Sequence, residues 1–301
     1  MTGPLTPAWR ITGGRLLTPA PFIIAGIVNT TPDSFSDGGK FFTPEDAVKR
    51  VCDLVAQGAH IVDLGAESTR PGAEDIGHAE EWRRLEPVLA QTLGLRDSGP
   101  VDSADFPPFA VSIDSFRAET AIRALTMPSA PGAVHPGADI INDVSGGSFD
   151  PEMNEVLVAY KPGYVLGHSP ARPDQMQQNP HYAHVVDELM RWFSTRMNAL
   201  VKAGLPEECI CLDPCIGFGK TLEHTLDIMA AIPRFLTLGR PLYFGISRKS
   251  FIGAITRQSA QERDTSTQVV TALLAQAGVH VHRVHQVADT VATLRLVQAL
   301  R

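Results

Sequence analysis

Short apolar runs rich in β-branched and aromatic residues alternate with amphipathic stretches along nearly the whole chain, which predicts strands alternating with helices. The predicted strands are Phe22–Val28, Ile61–Leu64, Phe109–Ile113, Asp139–Asn142, Tyr164–Leu166, Ile210–Leu212, Leu242–Gly245 and Val281–Val284. A helical pattern follows each. In the first, Thr43 is the N-cap, Pro44 takes the first helical position and Glu45-Asp46 fill the first turn, with Val48, Val51, Cys52 and Val55 facing inward. The longest predicted helix lies within Tyr182–Ala203, where Val185, Leu189, Phe193, Met197 and Leu200 make an apolar stripe. Parallel strands need helical crossovers, so eight strands with eight intervening helices predict an α/β fold closed as a (β/α)8 TIM barrel. An open doubly wound sheet is the alternative.

Ahead of the first strand, Arg10-Ile11-Thr12-Gly13-Gly14-Arg15-Leu16 reads as a small β-hairpin around Gly-Gly that closes the barrel floor. The expected organisation is one barrel domain over 1–301, with 1–21 as tail and hairpin. Arg96–Pro108 and Met127–Ala138 fall between a helix and the next strand and read as surface insertions on the non-catalytic face. Thr30–Phe42, Glu67–His78 and Ser169–Pro180 follow strands, and their length and polarity suggest covers over a site.

Polar residues end the apolar runs. Asp213-Pro214-Cys215-Ile216-Gly217-Phe218-Gly219-Lys220 is the most telling case, and Asn29, Glu67, Asp114, Asn142, His168, Ser247 and His285 stand at or just beyond other strand ends. In barrels of this kind the reactive groups sit at the carboxyl ends of strands and in the loops after them.

Composition narrows the classes. The 301 residues are 44% hydrophobic, enough for a substantial core. A net charge of −7 supplies no global field for nucleic acid or an anionic membrane. Met1–Pro7 lacks the basic start and apolar stretch of a secretory signal, and no run approaches a membrane span, so a cytoplasmic protein is expected. Cys209, Cys211 and Cys215 have no second ligand cluster and read as buried structural thiols, with Cys209 and Cys211 on one strand face.

Two motifs mislead. Gly217-Phe218-Gly219-Lys220-Thr221 resembles a phosphate-binding P-loop, but Pro214 occupies the place of its first glycine. His280-Val281-His282 resembles a metal-hydrolase pair without the further ligands such a site needs, so helix-facing or solvent histidines are expected.

What remains is a mixed polar ring. Asp114, Asn142 and Asp213 suit a planar heterocycle with a donor-rich edge, such as an aminopyrimidine, because a buried carboxylate pairs two adjacent N–H groups. Taken singly, each of the three reads more readily as the cap of the following helix, and only the three together with the cations favour ligand binding. Lys249, Arg283 and His285 suit an anion clamp after the last two strands, Arg70 lies on a rigid turn, and Arg248 reads as surface charge. Asn29 opens a loop of amide, hydroxyls and carboxylates that suits Mg²⁺, although such a composition is often only a turn.

In order along the chain stand Asn29–Gly39, Ser68-Thr69-Arg70-Pro71-Gly72, Ser112-Ile113-Asp114-Ser115, Ile141–Gly147, Asp213–Lys220, Ser247-Arg248-Lys249-Ser250 and Arg283-Val284-His285. This ordered set closely resembles the dihydropteroate synthase family from about Phe22 to the C-terminus. The resemblance implies an Mg²⁺-dependent transferase. It would condense 6-hydroxymethyl-7,8-dihydropterin pyrophosphate with p-aminobenzoate to give 7,8-dihydropteroate and pyrophosphate in folate biosynthesis. It implies that Asp114, Asn142, Asp213 and Lys249 hold the pterin. Asn29, Arg283 and His285 would bind pyrophosphate, with Asn29 reaching the metal and Arg70 assisting. Phe35, Thr69, Pro71, Phe218 and Ser247 would form the p-aminobenzoate pocket, and Asp37 would organise the closed loops. It further implies a homodimer through outer helices. No nucleophile pair stands out, so a dissociative displacement is expected, helped by positioning and electrostatics.

Departures from the family pattern touch none of these residues. Cys215 replaces a common glycine, Ser115 a threonine and Gln286 an aspartate, and Gly167-His168-Ser169 replaces a Met-His pairing. If that glycine position needs a positive φ, Cys215 is strained or its loop reshaped. The rival readings are a catalytically silent pterin-binding homologue and a pterin-binding methyltransferase.

Overall fold

The computed structural model describes residues 7–18, 21–30, 43–68, 72–98, 108–128, 133 and 135–300. The N-terminal hairpin consists of β1 (Trp9–Arg10) and β2 (Leu16–Leu17). The barrel strands are β3 (Ile23–Asn29), β4 (Ile61–Gly65), β5 (Ala110–Asp114), β6 (Ile140–Asp143), β7 (Gly163–Gly167), β8 (Ile210–Asp213), β9 (Tyr243–Phe244) and β10 (Val281–Val284). The helices after β3 to β7 are α1 (Pro44–Ala56), α2 (Gly77–Ser98), α3 (Ala118–Thr126), α4 (Met153–Tyr160) and α5 (Val185–Ala203). Two helices follow β8, α6 (Leu222–Ala230) and α7 (Ile232–Leu236), and two follow β9, α8 (Ser250–Thr256) and α9 (Asp264–Ala277). α10 (Val287–Ala299) ends the fold. Ten described helices therefore follow the eight barrel strands, rather than one per strand.

The parallel sheet runs β8-β7-β6-β5-β4-β3-β10-β9, and a parallel bridge between Leu212 and Leu242 joins its edges. That closure makes it a TIM barrel and excludes the open doubly wound sheet. Alternation along each strand sorts the side chains. Ile24, Val62, Leu64, Val111, Ile141, Leu166, Leu212 and Phe244 face the helices and form the larger core. Ile23, Ile61, Ala110, Ile140, Val165, Cys211, Tyr243 and Val281 face inward and fill the lower barrel.

The hairpin plugs that floor as expected. Trp9 and Ile11 are fully buried against the inner layer, and Trp9 Nε1 donates to Cys209 O at 2.8 Å. Buried Asp139 anchors it, accepting from Arg15 at 3.1 Å, Arg96 at 3.1 Å and the Val111 amide at 2.8 Å.

Several expectations need correction. Cys209 and Cys211 do not share a face: Cys209 ends a 3-10 turn and packs among the outer core, whereas Cys211 points into the barrel. α2, with 22 residues, is longer than α5 with 19. Pro87 within it and its charge-rich surface obscure the apolar period. Arg96 belongs to the last turn of α2 and is ion-paired with Asp97 and Asp139, so it is not part of a loose insertion. The α1 cap is as read, with Thr43 and Asp46 forming a reciprocal capping box. Its fully buried stripe is Ala47, Val51, Leu54 and Val55, with Val48 and Cys52 at the flanks.

Among the described residues, no helix is long and apolar enough to cross a membrane.

Candidate active site

Two residues beyond the apolar inner layer, the same inward positions turn polar. Asp63 follows Ile61, Asn142 follows Ile140, Asp213 follows Cys211 and Arg283 follows Val281, while Asp114 closes β5. Because parity is kept, these side chains enter the upper barrel together. In register, Asn29 lies beside Gly65, Gly65 beside Asp114, and Asp114 beside Asn142.

Arg283 holds the centre. Its Nε donates to Asp63 Oδ2 at 2.6 Å and its Nη2 to Asp114 Oδ2 at 2.6 Å. Asn142 Nδ2 also donates to Asp63 Oδ2, at 3.1 Å. Burial pushes the Asp114 carboxyl up, Arg283 draws it back, and Asp63 adds to the rise. Buried among these carboxylates, the Arg283 guanidinium is held in its charged form. Arg283 is thus an oriented cation with two carboxylate partners, not the bare clamp that the sequence suggests.

Asp63 is the central residue that sequence reasoning missed. It is fully buried, and its Oδ1 has no partner among the described residues. The available signal was a carboxylate inside Ile61-Val62-Asp63-Leu64, at inward parity in an otherwise apolar strand.

Asp213 lies 7% exposed and accepts the Cys215 amide at 2.7 Å through Oδ1. Burial raises its carboxyl, and Lys249 pulls it down. Burial lowers the Lys249 ammonium, opposed first by Asp213. Lys249 Nζ donates to Ile216 O and stands 4.6 Å from the Phe218 ring centroid. None of Asp114, Asn142 and Asp213 caps the helix after its strand. Their side chains are instead committed to the barrel mouth.

Cys215 does adopt the left-handed conformation, at φ 50°, which costs a non-glycine residue about 1 kcal/mol. The Asp213–Cys215 hydrogen bond holds it there. Gly167 lets the neighbouring loops approach, since a Cβ there would meet Asp143 O and the Val144 Cα at 2.6 Å and Cys215 Sγ at 2.9 Å.

His285 lies half-buried beyond β10, with Nδ1 2.9 Å from Ser247 Oγ, and its carbonyl accepts from Arg50 Nη2 at 2.5 Å. Arg248 is bound to Asp264 at 2.6 Å and turned away from the central carboxylates. His280 accepts the Leu242 amide at 3.1 Å, and His282 is buried on the helix side of β10.

A second ionic group at the mouth was also not foreseen. Arg117 binds Glu67 at 2.5 Å and 3.1 Å, Asp75 at 2.6 Å and Glu81 at 3.2 Å, tying both ends of the loop after β4 to the start of α3. Thr69, Arg70 and Pro71 on that loop, with Phe35 and Asp37 on the loop after β3, lie outside the described residues.

No group of three or more His, Cys, Asp and Glu among the described residues could hold a metal ion. Asn29 offers a different kind of site. A methyl placed on Gly65 would stand 3.5 Å from Asp114 Oδ2 and 3.7 Å from Asn29 Oδ1. Asn29 Oδ1 is thus a hard oxygen donor close to the Asp114 carboxylate, a donor type that suits Mg²⁺ carried mainly by ligand phosphates and water.

Comparisons with known proteins agree with this fold. Residues 25–285 match the model of the pterin binding enzyme family. The chain is 37% identical over 278 residues to a dihydropteroate synthase of Synechocystis sp., covering 92% of this chain and 89% of that protein. Its fold is similar to Xanthomonas albilineans dihydropteroate synthase with 4-aminobenzoic acid, at TM-score 0.82 and 35% identity, covering 98% of each chain. It is also similar to the structure of that enzyme in complex with 7,8-dihydropteroate, at TM-score 0.78 and 33% identity, covering 96% of this chain and 98% of that one.

Proposed function

The chain belongs to the dihydropteroate synthase family of pterin binding enzymes, and from that premise we propose that it condenses 6-hydroxymethyl-7,8-dihydropterin pyrophosphate with p-aminobenzoate to 7,8-dihydropteroate. The convergence of Asp114, Asn142 and Asp213 with Arg283 and Lys249 at one barrel mouth carries the reading. Acceptors suit the aminopyrimidine edge and cations suit the pyrophosphate.

In this reading Asp213 pairs with the pterin's amino and ring N–H groups, and Asn142, Asp114 and Lys249 fix the rest of its rim. Arg283, His285 and Asn29 receive the pyrophosphate, and Arg70 assists. The bond between the pterin methylene and the pyrophosphate oxygen breaks, its electron pair leaving with pyrophosphate. The arylamine nitrogen then bonds to the methylene carbon and loses a proton. Arg283, already oriented by two carboxylates, meets the growing charge without reorganising. Phe218 and Ser247, with Phe35, Thr69 and Pro71, flank the arylamine and keep water from the carbon, and Asp37 organises their loops. Mg²⁺ bound at Asn29 would neutralise pyrophosphate charge.

The proposal extends to one functional domain over 1–301, a cytoplasmic location and a homodimer. Val269 and Leu273 on α9, Leu296 on α10 and Leu300 just past its end are 58%, 59%, 64% and 83% exposed. The two helices present an apolar face suited to a second copy. Sedimentation should give a dimer for the wild type and a monomer for Leu273→Lys; a monomeric wild type rejects the dimer.

The activity is tested by pyrophosphate release from dihydropterin pyrophosphate with Mg²⁺, with and without p-aminobenzoate. Release that depends on p-aminobenzoate and yields dihydropteroate is expected. No release despite pterin binding would favour a silent pterin-binding homologue.

A further inference from the structure

Lys220 is only 4% exposed at the barrel mouth. Its ammonium donates to His168 O at 3.0 Å and Phe218 O at 2.9 Å, and lies 3.3 Å from His168 Nδ1. An ammonium taken out of water costs several kcal/mol unless hydrogen bonds replace its hydration. Here two backbone carbonyls and an imidazole do so, and they belong to two loops that frame the site.

The loop it grips has one backbone bond of its own, Phe218 N donating to Cys215 O at 3.0 Å. Cys215, Gly217 and Gly219 all have positive φ, at 50°, 85° and 58°. This irregular backbone belongs to no helix or strand ladder that could satisfy its carbonyls. Side chains satisfy three in succession: Lys249 binds Ile216 O, Gln177 Nε2 binds Gly217 O at 2.5 Å, and Lys220 binds Phe218 O. The Phe218 ring meanwhile stands against the Lys249 ammonium. Lys249 belongs to the pterin site already described, whereas Lys220 and Gln177 have no other assigned role.

We infer that Lys220, with Gln177, is a positioning residue for the arylamine pocket: the two side chains fix the Phe218 backbone, and so the place of its ring beside Lys249. Neither residue touches substrate in this scheme, which rests on the reading of Phe218 as a wall for p-aminobenzoate. The surroundings agree. Gly219 packs so closely that a Cβ would meet Pro170 Cγ at 2.3 Å, which locks the loop onto the segment after β7. Burial holds the His168 imidazole far below its ordinary titration range, and the Lys220 charge adds to this. His168 is therefore neutral, with Nδ1 free to accept from the ammonium and its proton on Nε2.

The test compares Lys220→Met, which keeps reach but loses every donor, with Gln177→Leu at an exposed position whose loss leaves the core intact. Initial rates at saturating dihydropterin pyrophosphate give KM for p-aminobenzoate, and calorimetry gives the affinity for dihydropterin pyrophosphate. A misplaced pocket wall should raise KM for p-aminobenzoate about tenfold in Lys220→Met and about threefold in Gln177→Leu. Pterin affinity should stay within about twofold of wild type. Equal loss of affinity for both substrates in Lys220→Met, with wild-type behaviour in Gln177→Leu, would reduce Lys220 to a structural residue and overturn the inference. If Lys220→Met does not fold, an unchanged KM in Gln177→Leu overturns it alone. Phe218→Ala is the control: an unchanged KM there removes the pocket assignment and the inference with it.

Discussion

Replacing Asp63 with Asn changes one charge beneath the site and nearly nothing in shape. The wild-type carboxylate takes Arg283 Nε at 2.6 Å and Asn142 Nδ2 at 3.1 Å through one oxygen, while its other oxygen has no partner among the described residues. An asparagine carbonyl can keep both bonds, leaving its amide where the partnerless oxygen stood. Fully unpairing a buried ion costs about 3–5 kcal/mol, and a neutral hydrogen bond contributes about 1 kcal/mol. Arg283 retains Asp114 at 2.6 Å, so Asp63→Asn falls between those limits, at about 2 kcal/mol. If that loss falls on the oriented guanidinium in the transition state, kcat/KM for dihydropterin pyrophosphate drops about 30-fold. The pH profile supplies an independent sign. Asp63 contributes to the upward push on Asp114, and Arg283 opposes it. Without the Asp63 charge, Asp114 has Arg283 to itself and titrates lower, so the acid limb of kcat/KM moves to lower pH. Steady-state kinetics across pH, with urea unfolding as a fold control, measures both effects. A kcat/KM within about twofold of wild type and an unmoved acid limb would refute the claim that Asp63 orients Arg283.

His282 is fully buried, and burial lowers it to about 4. The ring is neutral when folded and gains a proton on unfolding below its ordinary pKa of 6.5, so its stability contribution is present above that value and lost as pH falls towards 4. Between about pH 7 and about pH 5 this site should take away ~2 kcal/mol, which His282→Leu should spare; parallel losses in urea unfolding would contradict it. Gly167→Ala should destabilise by at least ~2 kcal/mol and weaken pterin binding, because its methyl would press on Asp143 O, Val144 and Cys215; thermal unfolding at the wild-type temperature would count against that packing. Arg248→Ala breaks a partly exposed pair with Asp264, so stability should change by less than ~1 kcal/mol and kcat/KM by less than about threefold; a large rate loss would place Arg248 in the site.

Local chemistry made much of the fold legible. β-Branched runs placed every barrel strand to within a residue or two, and Val281–Val284 matched the strand itself. The Thr43–Asp46 cap and the α5 stripe were equally local signals. α2 was less legible because Pro87 and a charged surface hide its period. Within the site, Asp114, Asn142, Asp213 and Arg283 announced themselves at or near strand ends, where polar groups interrupt apolar runs.

Asp63 also interrupts an apolar run, but nothing in the sequence showed what it, Lys220 or Arg117 would bind. Sequence alternation states which side of a strand a residue faces, but neither its height in the barrel nor what stands opposite. Asp63 and Arg283 are 220 positions apart in the chain, and only closure of β3 between β4 and β10 sets them 2.6 Å apart. Likewise, the sequence places Lys220 only as the end of the Asp213–Lys220 stretch, and it becomes a clamp because the His168 and Phe218 carbonyls close around it. The sequence by itself determined the strands, their inward faces and the chemistry available at their ends. Tertiary structure decided the pairings, because a buried charge is stable only beside its counterpart and that neighbour is supplied by register and closure.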